Sequence, residues 1–159
     1  MYSVRLGFRA ALKRIGALKR NKYNAEALVT SVFTLEKLMR RSLRLAMLAR
    51  GFTSNQATRL IGRKGFKEIK EMWDIFDRQH RTLQLMIGNN EWQHVPKAVE
   101  MRNRLVHGQQ VFKAQNCDAY TKHVLAALKK LHREIRSDYG TDPWTVLKAR
   151  KKSKLQWLA

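Results

Sequence analysis

The sequence predicts an all-α protein, a helical bundle built on two long antiparallel helices with basic terminal extensions. Three observations carry this. Apolar residues recur at helical spacing over long stretches, and no segment alternates convincingly at period two. Only two prolines and eight glycines interrupt 159 residues. The punctuation that does occur falls where helices begin and end.

The elements follow in order. Leu6, Ala10, Ile15 and Leu18 form a loose apolar stripe on a first helix, with Arg5, Arg9, Lys13 and Arg20 off it. Asn24 can cap a long second helix, and Gly51 sits where a terminating glycine belongs. Thr53 or Ser54 opens a short helix that ends near Gly62. A further helix is predicted from about Phe66 to Leu85, with Glu68, Glu71 and Asp74 early in it, and Ile87–Trp92 reads as a loop. Pro96 suits the first turn of a helix running to about His107. Asn116 or Asp118 caps the next helix, Gly140 ends it, and Asp142-Pro143 starts a short basic tail helix. The domain reading is a basic N-terminal arm over 1–24, a helical domain over 25–140 and a basic tail over 141–159.

Charge narrows the partner. The chain holds 33 Lys and Arg against 12 Asp and Glu, a formal net charge of +21. Residues 1–24 carry seven bases and no acid, and 148–159 carry five and none, which leaves +9 on 25–147. Such an excess implies a polyanion, and the two ends read as arms gripping phosphates. Arg5, Arg9, Lys13 and Arg14 are the candidate contacts in the first, and Lys148, Arg150, Lys151, Lys152 and Lys154 in the second. Met1–Asn24, basic and acid-free, also has the composition of a mitochondrial presequence. The single Cys117 excludes an intramolecular disulfide and a cysteine-based zinc site; no metal or other cofactor is expected. It also makes a reducing, cytoplasmic setting the natural one. No run approaches the roughly 18 apolar residues of a membrane span.

Two charged residues fall on apolar stripes. Residues lie about 100° apart around a helix. On that wheel Glu36 sits within the stripe Leu28, Val29, Val32, Met39, Leu43, Ala46 and Met47. Arg102 lies near the centre of Ala98, Val99, Leu105 and Val106. A charge facing a core is costly unless it is paired. The opposite signs therefore predict that Glu36 and Arg102 meet across a helix interface; the alternative is that one or both reach the stripe edge. On the flank of Arg102, Glu100, Asn103 and His107 cluster, and Asn103 and His107, four apart, can touch. A guanidinium can hold a phosphate and an imidazole can move protons near neutrality. Attack by an RNA 2′-hydroxyl on its own phosphate needs those two services and no metal.

The segment Arg102-Asn103-Arg104-Leu105-Val106-His107-Gly108 resembles the signature of the HEPN superfamily, the higher eukaryotes and prokaryotes nucleotide-binding domains. That pattern is Arg, four to six residues, then His, often with a polar residue directly after the Arg. The spacing alone recurs by chance in a chain this rich in arginine. The specificity comes from Asn103, the apolar Leu105-Val106, Gly108 and the placement on a late helix. Glu36-Lys-Leu-Met-Arg40 looks like the family's first core helix, and the resemblance spans about 28–135. It implies an α-helical homodimer whose two motif copies line one cleft, and often a metal-independent endoribonuclease. Many such proteins are toxins or phage-defence effectors, and some are inactive binding modules. On this reading Arg102 and His107 are catalytic, Asn103 orients the histidine or the phosphate, and Glu36, Arg40, Glu100 and Arg104 support them.

Other features carry less. His80, His94, His123 and His132 show no partner pattern and read as surface residues. Trp73 reads as core, and Trp144, beside the basic tail, as a candidate base-stacking residue. The expected partners are RNA (tRNA, rRNA or mRNA), a second copy of the chain and an acidic antitoxin or regulatory protein. The alternatives are a non-catalytic RNA- or ribosome-binding module and a helix-turn-helix DNA binder built on Ser54–Ile69. The last fits poorly, because its second helix would present Glu68, Glu71, Asp74 and Asp77 to phosphates.

Overall fold

The computed structural model describes residues 7–156. Arg5 and Leu6, placed in the basic arm above, lie outside them. Among the described residues the regular elements are all helices, without a strand: α1 (Phe8–Arg20), α2 (Asn24–Ala49), α3 (Ser54–Ile61), α4 (Phe66–Phe76), α5 (Leu83–Ile87), α6 (Asn89–Trp92), α7 (Val95–Val106) and α8 (Ala114–Tyr139).

The organising element is α2. It packs against α1, α3, α4, α7 and α8, most extensively against α8. It can do so because small polar residues fill the faces between its apolar ones. Thr30, Ser31, Thr34 and Ser42 are all buried. The Ser31 hydroxyl donates to the Leu28 carbonyl at 2.8 Å, and that of Thr34 to the Thr30 carbonyl at 2.7 Å, so neither needs an outside partner. Leu28, Leu35, Leu38, Met39, Leu43 and Met47 are almost wholly excluded from solvent and form the centre of the core.

The two long helices run parallel, not antiparallel. Asp118, early in α8, pairs at 3.4 Å with Lys19 in the last turn of α1, next to where α2 begins. Tyr139, at the end of α8, borders a cavity with Leu45, Leu48 and Ala49 at the end of α2. The intervening helices α3–α7 return the chain to the start of α2 before α8 begins, so the pair cannot form a simple hairpin.

Three further expectations change. The helix foreseen over Phe66–Leu85 breaks after Phe76. The Asp77 carboxylate accepts the backbone N–H groups of Gln79 (3.1 Å) and Arg81 (2.9 Å), satisfying them locally and stopping the helix. Arg81 then clamps the break to α8 through Asp77, Glu134 and Asp138. Ile87–Trp92 is not a plain loop, since Asn89–Trp92 makes one helical turn. On α1 the buried face is Ala11 and Ile15 with Phe8 and Leu12 packed on the core, while Ala10 is exposed.

The tail differs most. Beyond Gly140, which closes α8 in the left-handed conformation (φ 66°), the chain forms a turn and then an extended strap, not a helix. The strap lies on α2 and α3. Arg41 donates to the carbonyls of Pro143 (2.7 Å), Trp144 (2.9 Å) and Thr145 (2.9 Å). Ser54 N–H donates to the Arg150 carbonyl at 3.0 Å, and Lys154 N–H to that of Gly51 at 2.8 Å. With its backbone groups answered by α2 and α3, the segment has no need of internal hydrogen bonds.

Candidate functional site

Glu36 and Arg102 meet. Arg102 is only 7% exposed, and its Nη2 donates to Glu36 Oε1 at 2.5 Å across the α2–α7 interface. Its Nε donates to Asn103 Oδ1 at 2.8 Å. Its guanidinium carbon lies 4.6 Å from the centroid of the Phe33 ring. One turn before Glu36 on α2, Phe33 keeps 43% of its surface exposed and gives the cation an aromatic floor. The guanidinium plane is thus fixed by a carboxylate, an amide and a ring. The sequence reading missed Phe33, although its position three residues before Glu36 places it on the same helical face.

His107 stands at the end of the same helix. It is the C-cap of α7 (φ −88°, ψ 5°), and its backbone N–H donates to the Asn103 carbonyl at 3.0 Å. Gly108 adopts φ 63°, a left-handed geometry that ends the helix and lets Gln109 N–H reach the Arg104 carbonyl at 2.9 Å. The imidazole is exposed and makes no side-chain hydrogen bond among the described residues. Asn103 is turned towards Arg102, and no hydrogen bond links its side chain to that of His107 among the described residues.

The supporting residues divide. Glu100 is held by Lys97 (3.3 Å) and Arg104 (2.6 Å), and Arg104 also reaches Gln110 (2.8 Å). These form a separate surface network rather than part of the Arg102 cluster. Arg40 donates to the carbonyls of Gly62 and Lys64, each at 2.5 Å, tying the α3–α4 turn to α2 beside Glu36. A small cavity bordered by Glu36, Arg40, Gly65 and Phe66 lies there. On α7 the apolar stripe turns outward past Arg102, where Val106 is 53% exposed.

The basic candidates are open to solvent. Arg9, Lys13 and Arg14 are exposed on α1, and Lys148, Lys151, Lys152 and Lys154 on the strap, with Arg150 half-buried. Trp144, half-buried, packs against Phe8 (5.5 Å between rings) with Lys37 over its face at 5.7 Å, so the core takes most of the indole meant for bases. Trp73 is core, 2% exposed. His132 is not a surface residue. It is buried, stacked on Phe8 at 3.8 Å and paired with Asp142 at 3.1 Å, which fastens the start of the strap. His94 and His123 stack at 3.7 Å where α7 begins.

No family model, curated protein or solved structure matches the chain. Among the described residues no helix is long and apolar enough to cross a membrane, and no group of His, Cys, Asp and Glu is placed to hold a metal ion. The local arrangement of Arg102 and His107 therefore carries the functional argument alone.

Proposed function

We propose that the chain is an endoribonuclease of the HEPN type, cleaving RNA without a metal ion and acting as a toxin or phage-defence effector. The observation that supports it is one guanidinium, oriented by Glu36 and Asn103, on the helix whose end presents an exposed imidazole. Arg102 neutralises charge developing on the scissile phosphate, and His107 takes the 2′-hydroxyl proton or returns one to the departing 5′-oxygen. One imidazole serves one role at a time. The active unit is accordingly a homodimer in which two His107 side chains, related by a two-fold axis, divide acceptor and donor. An acidic antitoxin would compete for the same basic surface.

The test is incubation of pure protein with total RNA in EDTA, wild type against His107→Ala. Discrete fragments that persist in chelator and vanish in the variant are expected. Intact RNA with wild-type protein would refute the nuclease. A second reading, a non-catalytic RNA- or ribosome-binding module, draws on the same geometry, because two of the three Arg102 nitrogens already serve Glu36 and Asn103. On that reading His107→Ala leaves salt-dependent RNA binding unchanged and there is no cleavage to lose. The helix-turn-helix alternative is disfavoured by α4, which buries Ile69, Trp73 and Phe76 and exposes Glu68 and Glu71.

A further inference from the structure

Several stretches of the chain lack any acid, and two of them meet in the fold. Residues 37–67 hold nine Lys or Arg, and residues 143–156 hold five, without one Asp or Glu. The sequence separates them by some 75 residues, and the fold lays them side by side. Three arginines of α2 make the joint. Arg41 binds the strap through three carbonyls. Arg40 binds the α3–α4 turn through two. Arg44 reaches Thr58 of α3 at 2.6 Å and borders a cavity with Pro143, Thr145 and Val146 of the strap. Each staple spends its hydrogen bonds on neutral groups, so its positive charge is left uncancelled. Of the nine, Arg50 leaves this face for the carbonyls of Phe76 and Asp77.

The result is one surface on which α2 forms the floor, with the basic turn on one side and the basic strap on the other. Its fixed cations repel one another. Burial and then the charge of Arg41 pull the Lys37 pKa below its usual value. Arg59 near the end of α3, Arg63 in the α3–α4 turn and Lys151 in the strap are exposed, and their side chains make no hydrogen bond or ion pair among the described residues. At the other end of the same face of α2 lies Phe33, the ring beneath Arg102. A crowd of cations held by backbone carbonyls, with spare donors above it, is matched by a ligand carrying regularly spaced negative charges.

We propose that this acid-free face of α2, the α3–α4 turn and the strap binds the sugar–phosphate backbone of an RNA strand and leads it to Arg102. The strap is then a fixed wall of the binding surface rather than a flexible arm. The inference rests on the RNA reading above but not on catalysis.

The experiment measures binding of single-stranded polyuridine against salt concentration in a His107→Ala background, so that cleavage does not intrude. One variant carries Arg59→Ala, Arg63→Ala and Lys151→Ala. The other removes the same charge elsewhere through Lys70→Ala, Lys113→Ala and Lys129→Ala, all exposed and unpartnered among the described residues. Neither set breaks a described hydrogen bond, and matched melting temperatures confirm that both fold. The first variant should lower the log–log salt slope by about two units, at roughly 0.7 per phosphate contact on a single strand, and the second should leave it nearly unchanged. Equal losses from the two variants would overturn the proposal, since net charge alone would then explain binding. If the first variant lowers the slope while wild-type protein, incubated separately with the same RNA, leaves it intact, the surface is supported and the nuclease refuted. If wild-type protein cleaves RNA but the first variant leaves the slope unchanged, the surface alone is overturned.

Discussion

Arg102 and Glu36 form an ion pair at 2.5 Å across the α2–α7 interface, with 9% and 19% of their side chains exposed. Each charge alone would be costly at that depth, and together with Asn103 and Phe33 they define one orientation of the guanidinium. The pair is at once a fastening between two helices and the part of the molecule that fixes the candidate phosphate ligand. On the proposed reading, stability and function are coupled at this point.

Glu36→Gln tests that coupling. Removing one member of a fully buried pair costs on the order of 3–5 kcal/mol. Glu36 keeps some contact with solvent and glutamine still accepts a hydrogen bond, so a loss of about 2 kcal/mol is expected. RNA cleavage should fall with it, because the guanidinium loses its orienting carboxylate. Thermal unfolding with a parallel cleavage assay measures both. An unchanged melting temperature would mean that the pair contributes nothing to the α2–α7 contact.

His107→Ala should behave in the opposite way. The imidazole is exposed at the end of α7, and the turn is held by the backbone and Gly108 rather than by the side chain. The stability change should stay within about 0.5 kcal/mol, as for surface substitutions generally, while cleavage disappears. A large destabilisation would show that the side chain caps the helix and that its loss disables the protein structurally.

The contrast between these two residues also shows what was legible in the sequence. A charge on an apolar stripe is a strong signal, because physics offers it few resolutions, and the opposite charges of Glu36 and Arg102 pointed at one another. The seven-residue segment ending in Gly108 placed the helix end correctly, because a left-handed glycine is a local requirement. What the sequence did not show was burial on α2, one local carboxylate turn and the course of the tail. The burial of Thr30, Ser31, Thr34 and Ser42 left no mark in the sequence, because nothing local reveals that α2 is enclosed on several sides. Asp77 read as a helical surface acid, although its carboxylate ends the helix. The strap read as a helix, since the carbonyl acceptors used by Arg41 lie about a hundred residues away.

Gly51 is where the strap meets the fold. Its φ of 103° suits glycine, and a Cβ there would lie 2.8 Å from the Lys154 carbonyl carbon, closer than such atoms approach. The clash is with backbone, so Gly51→Ala must shift the strap or strain the turn, at about 1–3 kcal/mol. Limited proteolysis with trypsin reports the result, because Lys148, Arg150, Lys151, Lys152 and Lys154 are all cleavage sites on the strap. Cleavage there should accelerate in Gly51→Ala while the helical core persists. An unchanged cleavage rate would mean that Arg41 and Ser54 hold the strap without this contact.

The last prediction concerns pH. His123 on α8 stacks on His94, the residue that opens α7, with Tyr120 edge-on to His94 at 5.9 Å. Burial, then the neighbouring His94, hold the His123 pKa below the usual imidazole value, and Glu91 opposes them in part. A depressed value means that the folded protein takes up this proton less readily than the unfolded chain. Stability from this site is therefore complete above the unfolded imidazole value, near 6.5, and is lost as pH falls from there through the depressed folded value. Protonation also places a charge against the His94 ring, which loosens the α7–α8 contact where α7 begins. Wild-type protein should lose stability on acidification from pH about 7 to about 5.5. His123→Gln should flatten that part of the curve, while the loss at lower pH that comes from Asp77 and Asp142 remains. For Asp142 burial acts to raise the pKa, but the Trp144 N–H and His132 outweigh it. Burial likewise opposes the Arg81 and Gln79 contacts that depress Asp77. Chemical denaturation at stepped pH measures the slope directly. If His123→Gln and wild type lose the same stability between those pH values, the stacked pair does not govern it.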